Sequence, residues 1–118
     1  MNKRTAGTLG EAAACQALQK AGFTILERNY RRPTGEIDVI AREGRTILFI
    51  EVKARSSMKY GRPAEAVNRA KQMRIVRTAM YYLSEHNLSD APVRFDVIEV
   101  LPDEIRHLRA AFDATDLL

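Results

Sequence analysis

The chain has 118 residues, of which 46% are hydrophobic and 29% charged, and its formal net charge is +4. This length suits one domain with a sizeable core, and the composition is typical of a soluble globular protein rather than a disordered one. A single cysteine excludes an intramolecular disulfide framework and a cysteine-cluster metal site. The longest strongly apolar run, residues 47–50, is far too short for a membrane span, and the N terminus lacks the apolar region of an export signal. The sequence therefore predicts one cytoplasmic domain over residues 1–118 with no membrane partner.

Positive charge is concentrated in the first two-thirds of the chain. Residues 1–77 contain 16 Lys and Arg against 7 Asp and Glu, whereas residues 78–118 contain 3 against 8. A basic surface of this kind favours a polyanionic partner, and nucleic acid is the first candidate. The alternative is a basic face that serves only the solubility of the domain.

The chain opens on a predicted helix that is followed by three predicted strands. Thr8 and Glu11 have the spacing of a capping box, so we expect a helix over residues 8–21 that ends at Gly22. Strands are expected over residues 23–29, 36–41 and 46–54, with a turn over residues 42–45 before the third strand. This third strand is apolar on both faces, which is typical of a central strand covered on both sides.

A long helix and a further strand follow. The helix is expected over residues 63–86, with Pro63 in its first turn. Apolar residues recur at intervals of three and four and predict its buried stripe, which consists of Val67, Ala70, Met73, Val76, Met80 and Leu83. Three basic residues fall on the opposite side, namely Lys71, Arg74 and Arg77. Residues 93–100 predict a strand, and residues 105–112 fit either a short strand or a helical turn. This order indicates an α/β fold with a mixed sheet flanked by helices.

Three charged residues are predicted to meet on one face of the sheet. Asp38 lies opposite Glu51 if the hairpin turn centres on residues 43–45, and opposed residues share a face. Lys53 follows Glu51 by two positions and therefore leaves the same face. Two facing carboxylates repel each other unless a cation lies between them, and oxygen ligands on rigid strands suit Mg²⁺ or Mn²⁺. The alternative is a cross-strand salt bridge with Asp38 that has no catalytic role.

The remaining chemically notable residues have simpler interpretations. His86 and His107 are isolated in the sequence and are expected to be exposed polar residues near the ends of elements. Asp96 is expected to pair with Arg94 or with another strand, and Cys15 to be a small buried residue.

Three sequence blocks carry a resemblance to a known family. Residues 35–40 (GEIDVI), 48–55 (LFIEVKAR) and 94–97 (RFDV) resemble the hallmark blocks of the YraN-like bacterial proteins. That family is assigned to the PD-(D/E)XK, restriction-endonuclease-like superfamily and is similar to archaeal Holliday-junction resolvases. The resemblance spans nearly the whole chain and implies an αβββαβ core. It also implies that Asp38 and Glu51 bind the metal, that Lys53 is the catalytic lysine, and that Glu11 joins the metal site. The literal Pro-Asp of the superfamily name is absent, because Ile37 precedes Asp38.

Together these observations predict a Mg²⁺- or Mn²⁺-dependent endonuclease that acts on DNA, branched or otherwise structured. Asp38 and Glu51 would bind the cation with help from Glu11 and the Val52 carbonyl, and Lys53 would position the attacking water. The residues expected to neutralise the phosphate backbone are Arg31, Arg32, Arg55, Lys59, Arg62 and Lys71. Glu36 and Gln72 are expected to contact the residues that bind the metal and the water, without contacting the metal themselves.

Two other functions remain open on the sequence. One is a nucleic-acid-binding accessory protein that kept the fold with little or no catalysis, and the other is a protein-interaction domain. An intact Glu-x-Lys favours the enzyme. The sequence leaves open the choice between DNA and RNA and whether the protein forms a homodimer.

Overall fold

The computed structural model describes residues 3–54 and 67–117. In chain order the elements of these residues are α1 (Lys3–Lys20), β1 (Thr24–Arg32), β2 (Gly35–Glu43), β3 (Thr46–Ala54), α2 (Arg69–Glu85), β4 (Val93–Leu101), β5 (Glu104–Phe112) and a short 3₁₀ turn (Ala114–Leu117). Neither described helix is long and apolar enough to cross a membrane.

The strands of the described residues form one mixed sheet in the order β1-β2-β3-β4-β5. The β1–β2, β2–β3 and β4–β5 pairs are antiparallel, whereas β3 and β4 are parallel and are joined through α2. The predicted α/β fold and the central position of β3 are confirmed. Residues 105–112 form a strand, so the order is αβββαββ and of the two alternatives for this segment the strand is correct.

The β2–β3 hairpin has the predicted register. Val39 pairs with Ile50, Ile40 with Phe49 and Glu43 with Thr46. Gly44 occupies the turn at a φ of 60°, a left-handed conformation that glycine adopts without steric cost. Because the register agrees, Asp38 and Glu51 stand at corresponding positions, one step beyond the last pair.

The two helices cover opposite faces of the sheet. Ala14 and Leu18 of α1 belong to a buried cluster with Val39, Leu48 and Ile50. Ile75, Val76, Ala79 and Tyr82 of α2 belong to a second cluster with Ile47, Phe49 and Phe95. The alternating residues of β3 therefore enter two separate cores, which explains why this strand is apolar on both faces.

The start of α1 differs from the prediction. The helix begins at Lys3, so Thr8 lies inside it and does not cap it. The preceding residues contain no proline, and nothing in them prevents the helix from continuing toward the N terminus. Glu11 is thereby freed from the capping role and faces Arg28 on β1.

The start and the buried face of α2 also differ. The helix begins at Arg69, where Asn68 is the N-cap and its side chain accepts a hydrogen bond from the Lys71 amide at 2.9 Å. Pro63 lies outside the described residues and six positions before this start. The buried face centres on Ile75, Ala79 and Tyr82, whereas Ala70 is exposed and Met80 is 56% exposed. Apolar residues surround the helix in its second half, so docking against the sheet, not spacing, selects the buried side.

Candidate active site

The β2–β3 hairpin opens at the end remote from its turn, and Asp38 fills the opening. The last backbone pair is Val39 with Ile50. One residue further, the Asp38 carboxylate accepts a hydrogen bond from the Val52 amide at 2.8 Å. The side chain thus takes the place that the β2 backbone would occupy in a continuing ladder, and this contact holds Asp38 beside the C-terminal half of β3.

The alternation of faces along β2 is interrupted at Asp38. Val39 belongs to the α1 core, but Ile37, two residues earlier, belongs to the α2 core. On β1 the facing residue, Asn29, has a φ of 54°, which is a left-handed conformation that asparagine tolerates better than most residues. The tip of the β1–β2 hairpin therefore curls toward α2, and a Cβ on Gly35 would lie 3.4 Å from Arg74 Cβ. This curl closes the site on the side of α2.

Among the predicted site residues that the structure describes, Glu51 is the most buried, and it is held by two lysines. Its side chain is 6% exposed. Lys71 Nζ lies 2.6 Å from Glu51 Oε1, and Lys53 Nζ lies 3.3 Å from the same oxygen. Lys71 enters from the first turn of α2, whereas Lys53 comes from the same strand as Glu51. A buried carboxylate is costly unless it is paired, and here two ammonium groups compensate one oxygen.

The two carboxyl groups perturb each other. Burial and then the charge of Glu51 raise the pKa of Asp38 to about 7, against the opposing effect of the Val52 N–H. Burial, followed by the neighbouring Lys71 ammonium, lowers the pKa of Lys53. Burial works against the charge of Lys71 too, but its bond to Glu51 outweighs this and raises its pKa. The repulsion between the two carboxylates is thus not fully offset by the two lysines, and it helps to keep the pKa of Asp38 raised.

These side chains border a cavity of about 260 Å³, whose lining includes Glu36, Asp38, Glu51, Lys71 and Arg74. The oxygen donors of Asp38 and Glu51 suit a hard divalent cation such as Mg²⁺ or Mn²⁺. Within residues 3–54 and 67–117, no three His, Cys, Asp or Glu residues are gathered as a metal-binding group. Two larger grooves of about 580 Å³ lie elsewhere, and their described linings contain no such pair of acids.

Glu11 lies near this group without joining it. Its carboxylate is 3.7 Å from Arg28 Nη2. Its charge nevertheless contributes to the raised pKa of Asp38, after burial, Glu51 and the Val52 amide. The helix comes this close because Gly10 has no side chain, since a Cβ there would lie 2.9 Å from the Cβ of Ala54. The expectation that Glu11 contributes to a metal site stays a prediction.

The other predicted residues are distributed around the hairpin tip and the start of α2. Arg31 pairs with Glu36 at 3.3 Å, and Arg32 pairs with Glu85 of α2 at 2.6 Å. Gln72 donates a hydrogen bond to the Val67 carbonyl at 3.0 Å, which braces the first turn of α2. The Val52 amide is engaged by Asp38, and the role of the Val52 carbonyl stays a prediction. The predicted phosphate-binding residues Arg55, Lys59 and Arg62 lie outside the described residues.

Glu99 is a buried acid on the site face that the sequence reasoning missed. It is fully buried on β4 and is the register partner of Lys53 in the parallel β3–β4 ladder. Register partners share a face, so Glu99 lies on the face that carries Glu51 and Lys53. The available signal was a charged residue inside the otherwise apolar run of residues 97–101.

Asp96 anchors a separate polar cluster between β4 and β5. The predicted pairing with Arg94 is confirmed, with both carboxylate oxygens bonded at 2.9 Å. Asp96 also accepts a hydrogen bond from the Ala110 amide at 2.9 Å and contacts His107 Nε2 at 2.6 Å. The expectation that His107 is exposed was wrong. Because residues 104–112 form a strand, its ring is brought over Asp96 and against Phe23.

Comparison with known sequences identifies one family. The model of UPF0102, an uncharacterised protein family, matches residues 10–100. A UPF0102 protein of Acetivibrio thermocellus is 56% identical over 100 residues, which cover 84% of this chain and 77% of that protein. A UPF0102 protein of Clostridioides difficile is 46% identical over 114 residues, covering 95% of this chain and all of that protein.

Comparison with solved structures identifies the fold. The chain resembles Hjc, a Holliday junction resolvase from the archaeal hyperthermophile Archaeoglobus fulgidus, with a TM-score of 0.50 and 24% sequence identity. The similarity covers 84% of this chain and 72% of the archaeal protein.

Proposed function

From the premise that the chain belongs to the UPF0102 family, we propose that it is a metal-dependent nuclease that hydrolyses phosphodiester bonds in DNA. The observation that carries the proposal is the meeting of Asp38, Glu51 and Lys53 at the open end of a hairpin in the centre of a mixed sheet. The fold is shared with an archaeal Holliday junction resolvase, which supports branched or otherwise structured DNA as the substrate class.

The donor set fits a hard divalent cation. Asp38 and Glu51 supply carboxylate oxygens, and their mutual repulsion is the electrostatic condition that a cation relieves. Glu11 and the Val52 carbonyl are the additional oxygens that could complete the set. Such a cation would lower the pKa of a water molecule and offset negative charge on the phosphate.

Each residue of the site then has a separate task. Asp38 is oriented by the Val52 amide, so its carboxylate is held beside Glu51 before any ligand arrives. Lys53, whose pKa is lowered chiefly by burial, orients the attacking water and stabilises charge that develops on the phosphate. Phosphates flanking the cleaved bond are bound by basic residues: Arg31 and Lys71 are the candidates among the described residues, and Arg55, Lys59 and Arg62 are those that the sequence predicts. Arg32 is also proposed to bind a phosphate. Because it already pairs with Glu85, we assign it a second role, which is to hold the β1–β2 hairpin tip on α2.

The proposal is tested by cleavage of labelled linear, flapped and four-way DNA in Mg²⁺, Mn²⁺ or EDTA. We expect cleavage only with a metal, and a loss of about 100-fold or more in Glu51→Gln and Lys53→Ala. Glu104→Gln removes an exposed carboxylate that pairs with Arg106 on β5, two strands from β3, and should cleave like the wild type. Cleavage that is equal in Glu51→Gln and the wild type would point to a contaminating nuclease.

A nucleic-acid-binding protein without catalysis is the second candidate. The observation that favours it is that one oxygen of Glu51 is already held by both lysines, as expected of a structural ion cluster. On that interpretation Glu51→Gln and Lys53→Ala chiefly lower thermal stability, and DNA binds without cleavage in any metal. Melting curves and retention of DNA on the same variants separate the two functions.

A further inference from the structure

Lys71 is placed in the site by a rigid first turn of α2. The Asn68 side chain accepts the Lys71 amide proton, and Gln72 is tied to the Val67 carbonyl. From this turn the Lys71 side chain, 32% exposed, reaches Glu51 Oε1 at 2.6 Å, which is closer than Lys53 at 3.3 Å. Such a short ammonium–carboxylate contact is a strong, charge-assisted hydrogen bond.

The charges in the site are balanced by this contact. With both acids ionised, Asp38 and Glu51 carry two negative charges, and Lys53 and Lys71 carry two positive charges. A divalent cation added to this set places two further positive charges beside two ammonium groups, and it would share the carboxylates of Glu51 and Asp38 with them. Both lysines lie on the same oxygen, Glu51 Oε1, so a cation can bind that oxygen only if one of them leaves it. Lys71 is the one that belongs to a separate element and reaches the oxygen from the cavity side.

We propose that Lys71 is a built-in competitor of the divalent cation, holding Glu51 in the metal-free protein and releasing it to contact a phosphate of the DNA. This inference rests on the proposed nuclease site and adds how that site is regulated. Lys71 is then a positioning residue whose contact changes with metal, whereas Lys53 stays with Glu51 on the same strand. In the metal-free protein Lys71 occupies Glu51. Once a metal has displaced the Lys71 ammonium, a DNA phosphate can pair with it, so metal binding and DNA binding strengthen each other.

The first test measures metal binding without DNA. Mn²⁺ is titrated into the wild type, Lys71→Met and Arg74→Met, and free Mn²⁺ is followed by electron paramagnetic resonance. Arg74 is the matched control because it lies on the same helix, borders the same cavity, and makes no contact with Glu51 among the described contacts. We expect Lys71→Met to bind Mn²⁺ about tenfold more tightly, since a competing charge close to Glu51 is gone, and Arg74→Met to change much less.

The second test measures DNA binding by fluorescence anisotropy with a labelled four-way junction, in EDTA and in Ca²⁺. In EDTA Lys71 is occupied by Glu51, so Lys71→Met should bind DNA almost as well as the wild type. In Ca²⁺ Lys71 is released, so the same variant should lose about tenfold in affinity. Arg74→Met should lose affinity equally in both conditions.

The outcomes separate this inference from the function on which it rests. Unchanged Mn²⁺ affinity in Lys71→Met, with the wild type binding Mn²⁺, overturns the inference and leaves the nuclease site intact. No Mn²⁺ binding by the wild type or by either variant overturns the proposed function itself. If Lys71→Met fails to fold, Lys71→Gln keeps a hydrogen-bond donor without the charge, and the same comparison applies to it.

Discussion

Asp38 is placed where its negative charge is unfavourable in the metal-free protein. It is bonded to the Val52 amide, but burial and Glu51 both oppose its ionisation. An asparagine keeps an oxygen for the Val52 amide and removes the repulsion. We therefore expect Asp38→Asn to be more stable than the wild type by about 1 kcal/mol in EDTA at pH 8.

Thermal melting in EDTA and in Mg²⁺ checks this expectation. The wild type should gain stability from Mg²⁺, because a ligand that binds only the folded state stabilises it. Asp38→Asn should gain little. A fall in the melting temperature of Asp38→Asn in EDTA would mean that Asp38 is a stabilising ion-pair partner and not a strained metal ligand.

The surroundings of Asp96 favour its negative charge, whereas those of Asp38 oppose it. We therefore expect Asp96 to make the stability of the protein depend on pH. Burial alone would raise its pKa, but bonds from His107, Arg94 and the Ala110 amide outweigh burial and lower the pKa to about 2. The ordinary pKa near 3.8 applies to the unfolded chain, so the stabilisation is complete above pH 4 and is lost as the pH falls toward 2. The difference between these two pKa values corresponds to about 2 kcal/mol of folding free energy.

Urea unfolding at a series of pH values measures this contribution. Asp96→Asn should be less stable than the wild type at neutral pH and should lose less stability between pH 4 and pH 2. Asp103→Asn, in the exposed β4–β5 turn, is the control and should follow the wild type. Parallel curves for Asp96→Asn and the wild type would show that other acids cause the loss.

At the scale of elements, the close contact between α1 and β3 decides how near Glu11 comes to the site. Alanine normally stabilises a helix relative to glycine by about 1 kcal/mol. At position 10, however, the new methyl group would lie 2.9 Å from Ala54 Cβ, so the helix must move away from the strand. We expect Gly10→Ala to destabilise the protein by about 1–3 kcal/mol despite its better helix propensity.

Chemical denaturation of Gly10→Ala tests this, with Gln16→Gly as the control for helix propensity at an exposed position of α1. If Gly10→Ala proves more stable than the wild type, the two elements are not in close contact. A parallel Mn²⁺ titration shows whether moving Glu11 changes metal affinity.

The hairpin could be predicted from sequence because local rules determine it. A turn at Gly44 and the alternation of β3 set the register and thereby the meeting of Asp38 with Glu51. The contact of Lys71 with Glu51 could not be predicted, because it depends on how α2 docks on the sheet, and the apolar residues around α2 allow more than one docking face. Helical spacing placed Lys71 with Arg74 and Arg77 on an outer side, although α2 turns its first residues toward the site.

The positive φ of Asn29 could not be predicted from the sequence for a similar reason. Asn29 has a positive φ beside the point on β2 where Ile37 and Val39 enter different cores, and nothing in the spacing of residues 23–29 marks that position. Glu36 and Asp38 border the same cavity, although the alternation of faces along β2 is interrupted next to Asp38.

At the scale of the whole molecule, the uneven charge of the chain predicts how it meets DNA. The first 77 residues contain 16 basic against 7 acidic residues and include every residue of the candidate site, whereas the acidic remainder includes β4 and β5. We expect the logarithm of the affinity for duplex DNA to fall with the logarithm of salt concentration, with a slope of about −0.9 for each phosphate contacted.

Anisotropy titrations in EDTA between low and physiological salt measure that slope. Arg31→Gln, at the exposed hairpin tip, should reduce the slope by about 1 if it contacts one phosphate. Lys20→Gln, exposed in the last turn of α1 and at the opposite end of that helix from the contact of Gly10 with Ala54, is the control and should leave the slope unchanged. Affinity that does not depend on salt would exclude the phosphate backbone as the main contact.

The β2–β3 hairpin that joins Asp38 to Glu51 also has a consequence for the order of folding. The two acids are only 13 positions apart, so they meet as soon as one short loop closes, whereas Lys71 arrives only when α2 docks across a longer separation. During folding the acids thus face each other with only Lys53 as a counter-ion, before Lys71 is present. Substitutions in the hairpin should therefore change the folding rate, and Lys71→Met should mainly change the unfolding rate. A nascent chain emerging from the ribosome would pass through this stage with its acid pair exposed to the ions of the surrounding solution.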